Sequence, residues 1–183
     1  MFSVPPWFII LLIYNLASCN SKPFQNLKGE ETSIEIKKNT KAIVYFFLVP
    51  DCPFSQLYSM AVNQVHSVYS SKGFQFYGIV PGNLYKISEI DSFITTHDFL
   101  PEILIDQKYN FSKKYKVTVV PQVVVTDTKG QVLYSGKLDD QAIQPGQKKY
   151  QPTKFYLLDA LKNISEGKEV GVKNTKAVGC YIE

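Results

Sequence analysis

The apolar residues of this chain come in short dense runs separated by polar turns, and their spacing switches between strand and helix periods. Ala42 to Val49 is an unbroken apolar run, the pattern of a strand covered on both faces. From Phe54 the step changes: Phe54, Leu57, Tyr58, Ala61, Val65 and Val68 fall on one helical stripe. Ser70-Ser71-Lys72-Gly73 closes that helix, with glycine where a helix end favours a left-handed residue. Phe74 to Val80 predicts a second buried strand, bounded by Gly73 and Pro81-Gly82. Ile87 to about Phe93 predicts a short helix starting near Ser88, Glu102 to Ile105 a brief strand, and Tyr109 to Tyr115 a helical turn. Valines then surround Pro121, which has no N–H to give to a ladder and therefore belongs at the start of a strand, Gln122 to Thr126. Thr128-Lys129-Gly130 turns the chain and Gln131 to Gly136 returns as the hairpin partner. Thr153 to Ile164 predicts the last helix, capped by Thr153 and ended near Gly167. Patterning is weak elsewhere: Ser33 to Ile36 suggests an edge strand, Asp139 to Pro152 a polar loop, and the residues from Lys168 onward a polar tail. Strands alternating with helices, then a hairpin and a helix, indicate an α/β fold with a mixed central sheet flanked by helices.

A length of 183 residues suffices for one domain with a sizeable core. The net charge of +4 is spread along the chain and makes no basic patch for nucleic acid. Every cationic side chain apart from the two histidines is lysine; there is no arginine. The amino terminus stands apart. Trp7 to Leu12 is an apolar run too short to span a bilayer, and it ends in Leu16-Ala17-Ser18-Cys19, the layout of a secretory signal. Leu-Ala-Ser-Cys also resembles the bacterial lipobox, although Met1 to Pro6 carries no positive charge. That resemblance implies a signal peptide over residues 1–18, a lipid on Cys19, a polar tether over residues 19–28 and an exported domain over residues 29–183. Such a protein would sit on the periplasmic side of a bacterial membrane; an ordinary cleaved signal and a misplaced start codon are the alternatives.

One cysteine stands where the first strand hands over to the first helix, in Asp51-Cys52-Pro53-Phe54-Ser55. Pro53 suits the first helical position, where an N–H would be unpaired anyway. Cys52 then faces unpaired backbone N–H groups and the positive end of the helix dipole, which favours the reactive thiolate. Asp51 opposes that, and a small thiol buried in the core is an equally available reading.

Strand, Cys-Pro-x-Ser, helix, and later Val120-Pro121 opening a hairpin with an Asp-x-x-Gly turn, resemble the thioredoxin fold. The closer resemblance is to its redoxin branch, the alkyl hydroperoxide reductase/thiol-specific antioxidant relatives, over about residues 28–183. It implies a three-layer sandwich and a cis Val120–Pro121 bond lying against Cys52. Tyr134 to Asp140 and the late Val178-Gly179-Cys180 are similar to bacterial redoxin-domain proteins that pair an early cysteine with one in a late Gly-Cys. Thioredoxins carry their second cysteine where this chain has Ser55. The resemblance thus implies a thiol–disulfide oxidoreductase with Cys52 as nucleophile, Cys180 as resolving thiol, Pro121 as the platform beside them, and Ser55 donating to the thiolate. Its partners would be extracytoplasmic protein thiols or disulfides, or a reductant-relaying membrane protein, with no cofactor, metal or nucleic acid. The same residues also allow a binding module in which a Cys52–Cys180 bridge is an inert staple.

Two sister activities fit poorly. Peroxidases of this group resemble one another in a Pro-x-x-x-Thr/Ser-x-x-Cys loop and use an arginine; here position 49 is Val, Pro50 is too close to Cys52, and lysine cannot copy the guanidinium fork. Sco-type copper proteins carry a second cysteine where this chain has Gln56, and His66 and His97 read as surface or satisfied residues. Asp139-Asp140 reads as a solvated turn.

Overall fold

The long apolar runs become the middle strands of one mixed sheet. A computed structural model describes residues 22–144 and 146–182; the expected signal peptide and Cys19 lie outside the described residues. In chain order the elements are β1 (Phe24–Gln25), β2 (Glu31–Thr32), β3 (Ala42–Phe47), α1 (Pro53–Tyr69), β4 (Phe74–Pro81), α2 (Ile87–His97), β5 (Glu102–Asp106) and α3 (Asn110–Lys114). There follow β6 (Val119–Val120), β7 (Gln122–Thr126), β8 (Val132–Gly136), β9 (Ala142–Gln144), β10 (Gln147–Lys148), α4 (Tyr156–Ser165) and β11 (Cys180–Tyr181). The main sheet runs β2-β1-β5-β4-β3-β7-β8 among the described residues. β3, β4 and β5 are parallel, and the hairpin β7–β8 continues antiparallel from β3.

β3 and β4 are buried along their whole length because helices or loops cover both faces of the sheet. Alternate residues of β3 therefore serve two cores. Val44, Phe46 and Leu48 pack with Tyr58 and Val62 of α1, Ile90 and Phe93 of α2, and Leu157 and Leu161 of α4. Ile43, Tyr45 and Phe47 pack on the other side with Phe24, Val117, Tyr115 and Val124. The second face is rich in rings: Tyr45, Phe47, Phe24 and Tyr115 all lie against Phe111 of α3 at centroid distances of 4.8–6.0 Å. Burial there pushes the Tyr45 phenol up to about 12. Asp106 anchors this short helix by accepting from the Phe111 and Ser112 backbone N–H groups and from the Ser112 hydroxyl. The layers are those of an α/β thioredoxin-like sandwich.

Three local expectations are corrected. Phe24–Gln25, inside the stretch expected to be a tether, is a strand of the sheet, because buried Phe24 fills a gap beside Phe111. The short edge strand is Glu31–Thr32 and not Ser33 to Ile36. α4 starts at Tyr156 with Phe155 as its N-cap, because the Thr153 hydroxyl and N–H are turned to Asp140 instead. Among the described residues no helix is long and apolar enough to cross a membrane.

Candidate functional site

β3 runs into the loop Leu48 to Asp51, which delivers Cys52 to the N-cap of α1 with Pro53 in the first turn. Leu48 still donates its N–H to Ile79, so the sheet ladder extends almost to the cysteine. The turn is braced from inside. The Ser55 hydroxyl oxygen accepts the Val49 N–H at 3.3 Å, and the Gln56 side-chain amide donates to the Pro50 carbonyl at 3.0 Å. The Cys52 carbonyl accepts the Gln56 N–H, but no side chain occupies the N-cap acceptor role. Cys52 thus stands at the helix end where unpaired N–H groups gather. The Asp51 carboxylate, which the sequence sets against a thiolate, is held by the Tyr85 hydroxyl.

Cys52 is bonded to Cys180 across a sequence separation of 128, with the two Cα atoms 6.2 Å apart. The third participant is the Val120–Pro121 peptide, which is cis as the resemblance implied. The Val120 carbonyl oxygen lies 3.5 Å from the Cys52 sulfur. The tail reaches the site by pairing: β11 lies antiparallel to β6, with Cys180 opposite Val120 and Tyr181 opposite Val119. Ile182 adds one more backbone bond to Thr118. Gly179 makes the approach feasible, since a Cβ there would run into the Val120 carbonyl and come within 3.0 Å of Pro121 Cδ. Upstream, Thr175 pins the tail to the β8 edge: its hydroxyl meets the Tyr134 hydroxyl at 2.8 Å and accepts the Lys137 N–H at 2.8 Å.

The chain between β8 and α4 forms the outer wall. Asp139, expected in a solvated turn, is buried. It accepts the Tyr58 hydroxyl at 2.7 Å and the Gln141 N–H at 2.8 Å, while the Tyr58 oxygen accepts the Ala142 N–H at 3.0 Å. Burial is the main cause that holds the Asp139 carboxyl above the usual carboxylate range, and neighbouring Asp140 adds to it. Asp140 instead gathers Lys149 and the N–H groups of Thr153 and Lys154, and its bond to Lys149 above all keeps it ionised well below that range. The pair thus clamps the β9–β10 hairpin onto α1, next to the bridge. The sequence pattern marked Gly179 only as part of a late Gly-Cys pair and gave no signal for the clamp or for Thr175.

The four residues singled out from sequence therefore lie close together, and the Ser55 hydroxyl oxygen is engaged as acceptor by the Val49 N–H. The histidines lie elsewhere. His66 packs its ring edge on Phe76, its Nδ1 is buried without a partner, and burial lowers its pKa. His97 ends α2 with its ring against Phe93. Among the described residues no group of three His, Cys, Asp or Glu side chains could hold a metal.

A family model described as the AhpC/TSA family matches residues 17–135. A hypothetical protein of Sinorhizobium meliloti 1021 has a similar structure at a TM-score of 0.75 and 21% identity, over 87% of this chain and 88% of that one. An uncharacterized conserved protein of Geobacillus kaustophilus follows at 0.73 and 20% identity, over 88% and 87%. A secreted Mycobacterium tuberculosis disulfide oxidoreductase, homologous to E. coli DsbE, gives 0.51 at 18% identity, over 79% and 93%. At these identities the likeness establishes a thioredoxin-like fold. No curated protein matches the chain.

Proposed function

This chain belongs to the AhpC/TSA family, and from that premise we propose that it is a thiol–disulfide oxidoreductase whose working pair is Cys52 and Cys180. The observation that carries this reading is the Cys52–Cys180 bridge at the N-terminus of α1, against the Val120–Pro121 peptide. When the bridge opens, the helix dipole and free N–H groups stabilise the thiolate of Cys52. Pro121 and Val120 wall the sulfur, and Ser55 positions the loop that carries it. The cycle requires only the two sulfurs and a partner's thiols, with no cofactor. The absence of arginine and the valine at position 49 argue against peroxide as the oxidant.

Export and anchoring complete the reading: Cys19 carries the lipid, residues 1–18 are removed, and the partners are extracytoplasmic protein thiols or disulfides. The secreted character of the M. tuberculosis protein supports export. The test is reduction of insulin disulfides by dithiothreitol, followed by turbidity, with wild-type protein and Cys52→Ser. Acceleration by the wild type and none by the variant is the expected result. Equal, background rates would leave the bridge an inert staple.

A further inference from the structure

The two sulfurs of the bridge do not meet the solvent equally. Cys52 is only 1% exposed and packs with Phe47, Val49 and Val120. Cys180 is partly exposed. A cavity of about 530 Å³, walled by Pro53, Phe54, Leu57, Gly179 and Tyr181, opens onto Cys180 and does not include Cys52. A thiolate displaces a disulfide sulfur from the side opposite the leaving sulfur, so access decides which sulfur is attacked. Cys52 is closed in by the packed core, whereas Cys180 is partly exposed and borders the cavity. The leaving group favours the same direction: a sulfur expelled at the N-terminus of the 17-residue α1 departs as a stabilised thiolate.

Resting on the exchange function proposed above, we propose that Cys180, not Cys52, is the sulfur that a partner thiolate attacks in the oxidised protein. In the first step the partner RS⁻ bonds to the Cys180 sulfur and the Cys52–Cys180 bond breaks. Its electron pair goes to Cys52, giving RS–S–Cys180 and the Cys52 thiolate. In the second step another partner thiolate attacks the partner's own sulfur, forming the partner disulfide and releasing Cys180 as thiolate. The partner loses two electrons and the protein gains them. Run backwards with the tail docked, the same path makes Cys180 the first nucleophile toward a partner disulfide. This inverts the roles that the family resemblance implies. The cavity beside Cys180 is lined mostly by apolar surface, with Gln147 and Lys148 on the β10 side, so a partner cysteine flanked by an apolar residue fits it best.

The test uses the full, oxidised wild-type protein and glutathione as the attacking thiol. The reaction is quenched at successive times with excess N-ethylmaleimide, and the cysteines are mapped by peptide mass. The expected earliest adduct carries glutathione on Cys180 and maleimide on Cys52, in about tenfold or greater excess over the reverse. Glutathione on Cys52 with maleimide on Cys180, or equal amounts of both, overturns the assignment while leaving exchange intact. No adduct on either sulfur over hours overturns the assignment and the exchange function together.

Discussion

The bridge joins two regions that are built very differently. On the Cys52 side every residue from Ala42 to Pro50 is buried, and β3 is laddered to β4 on one edge and β7 on the other. Apolar burial of this kind contributes about 1.5–3 kcal/mol per large side chain. On the Cys180 side residues 171–174 are exposed, and the tail is a strap that packs Val178 and Ile182 on the cores and is otherwise held by polar contacts. These are the Thr175 hydroxyl, backbone bonds with Ser135 and Thr118, and a two-residue strand. Such bonds contribute about 0.5–1.5 kcal/mol each. A single covalent link therefore couples a deeply buried, doubly laddered framework to a more exposed strap. Chemistry at the sulfurs changes the strap first.

The largest expected break in this contrast is removal of the link itself. Cys180→Ser should destabilise the oxidised fold by about 2–5 kcal/mol, the range for a long closed loop, with a lower denaturant midpoint and no exchange activity. Tyr58→Phe comes next, because it leaves the Ala142 N–H and buried Asp139 each short of a partner. It should cost about 1–3 kcal/mol, with faster amide exchange confined to the β9–β10 hairpin. Gly179→Ala strikes the strap where it passes the Val120 carbonyl. Its new Cβ meets the Val120 carbonyl, so the oxidised protein should lose about 1–3 kcal/mol while the reduced protein loses less. Equal losses in both states would mean that the strap stays docked without the bridge.

The smallest effect is on pH. Burial raises the Asp139 pKa, so the folded state binds this proton more tightly than the unfolded chain. Its contribution is fully present below the ordinary carboxylate value and is lost as pH rises through the raised one. Asp139→Asn should flatten that part of the stability profile, read as urea midpoints between acid and neutral pH. An unchanged slope would place the proton elsewhere.

The framework half of the molecule was legible in the chain because its information is local. Ala42 to Val49 and Phe74 to Val80 announce buried strands by apolar runs alone, Pro121 sets the start of Gln122 to Thr126, and Pro53 marks the helix start beside Cys52. The strap half was not, because what fixes it is tertiary. Thr175 acts only where Tyr134 and Lys137 come near, and Gly179 only where the Val120 carbonyl passes. Asp139 reads as a solvated charge until the Tyr58 hydroxyl is seen above it, and Tyr58 itself looked like one more member of an apolar stripe. Phe24 is a lone aromatic in a polar stretch, which has no period to detect.

The bond between framework and strap is a working one. Its most direct measurement is the reduction potential of Cys52–Cys180, obtained by equilibrating the protein in glutathione redox buffers and counting alkylated cysteines. A potential above about −300 mV is the predicted result. A bridge that stays oxidised at and below that value would be a structural staple and would contradict the account.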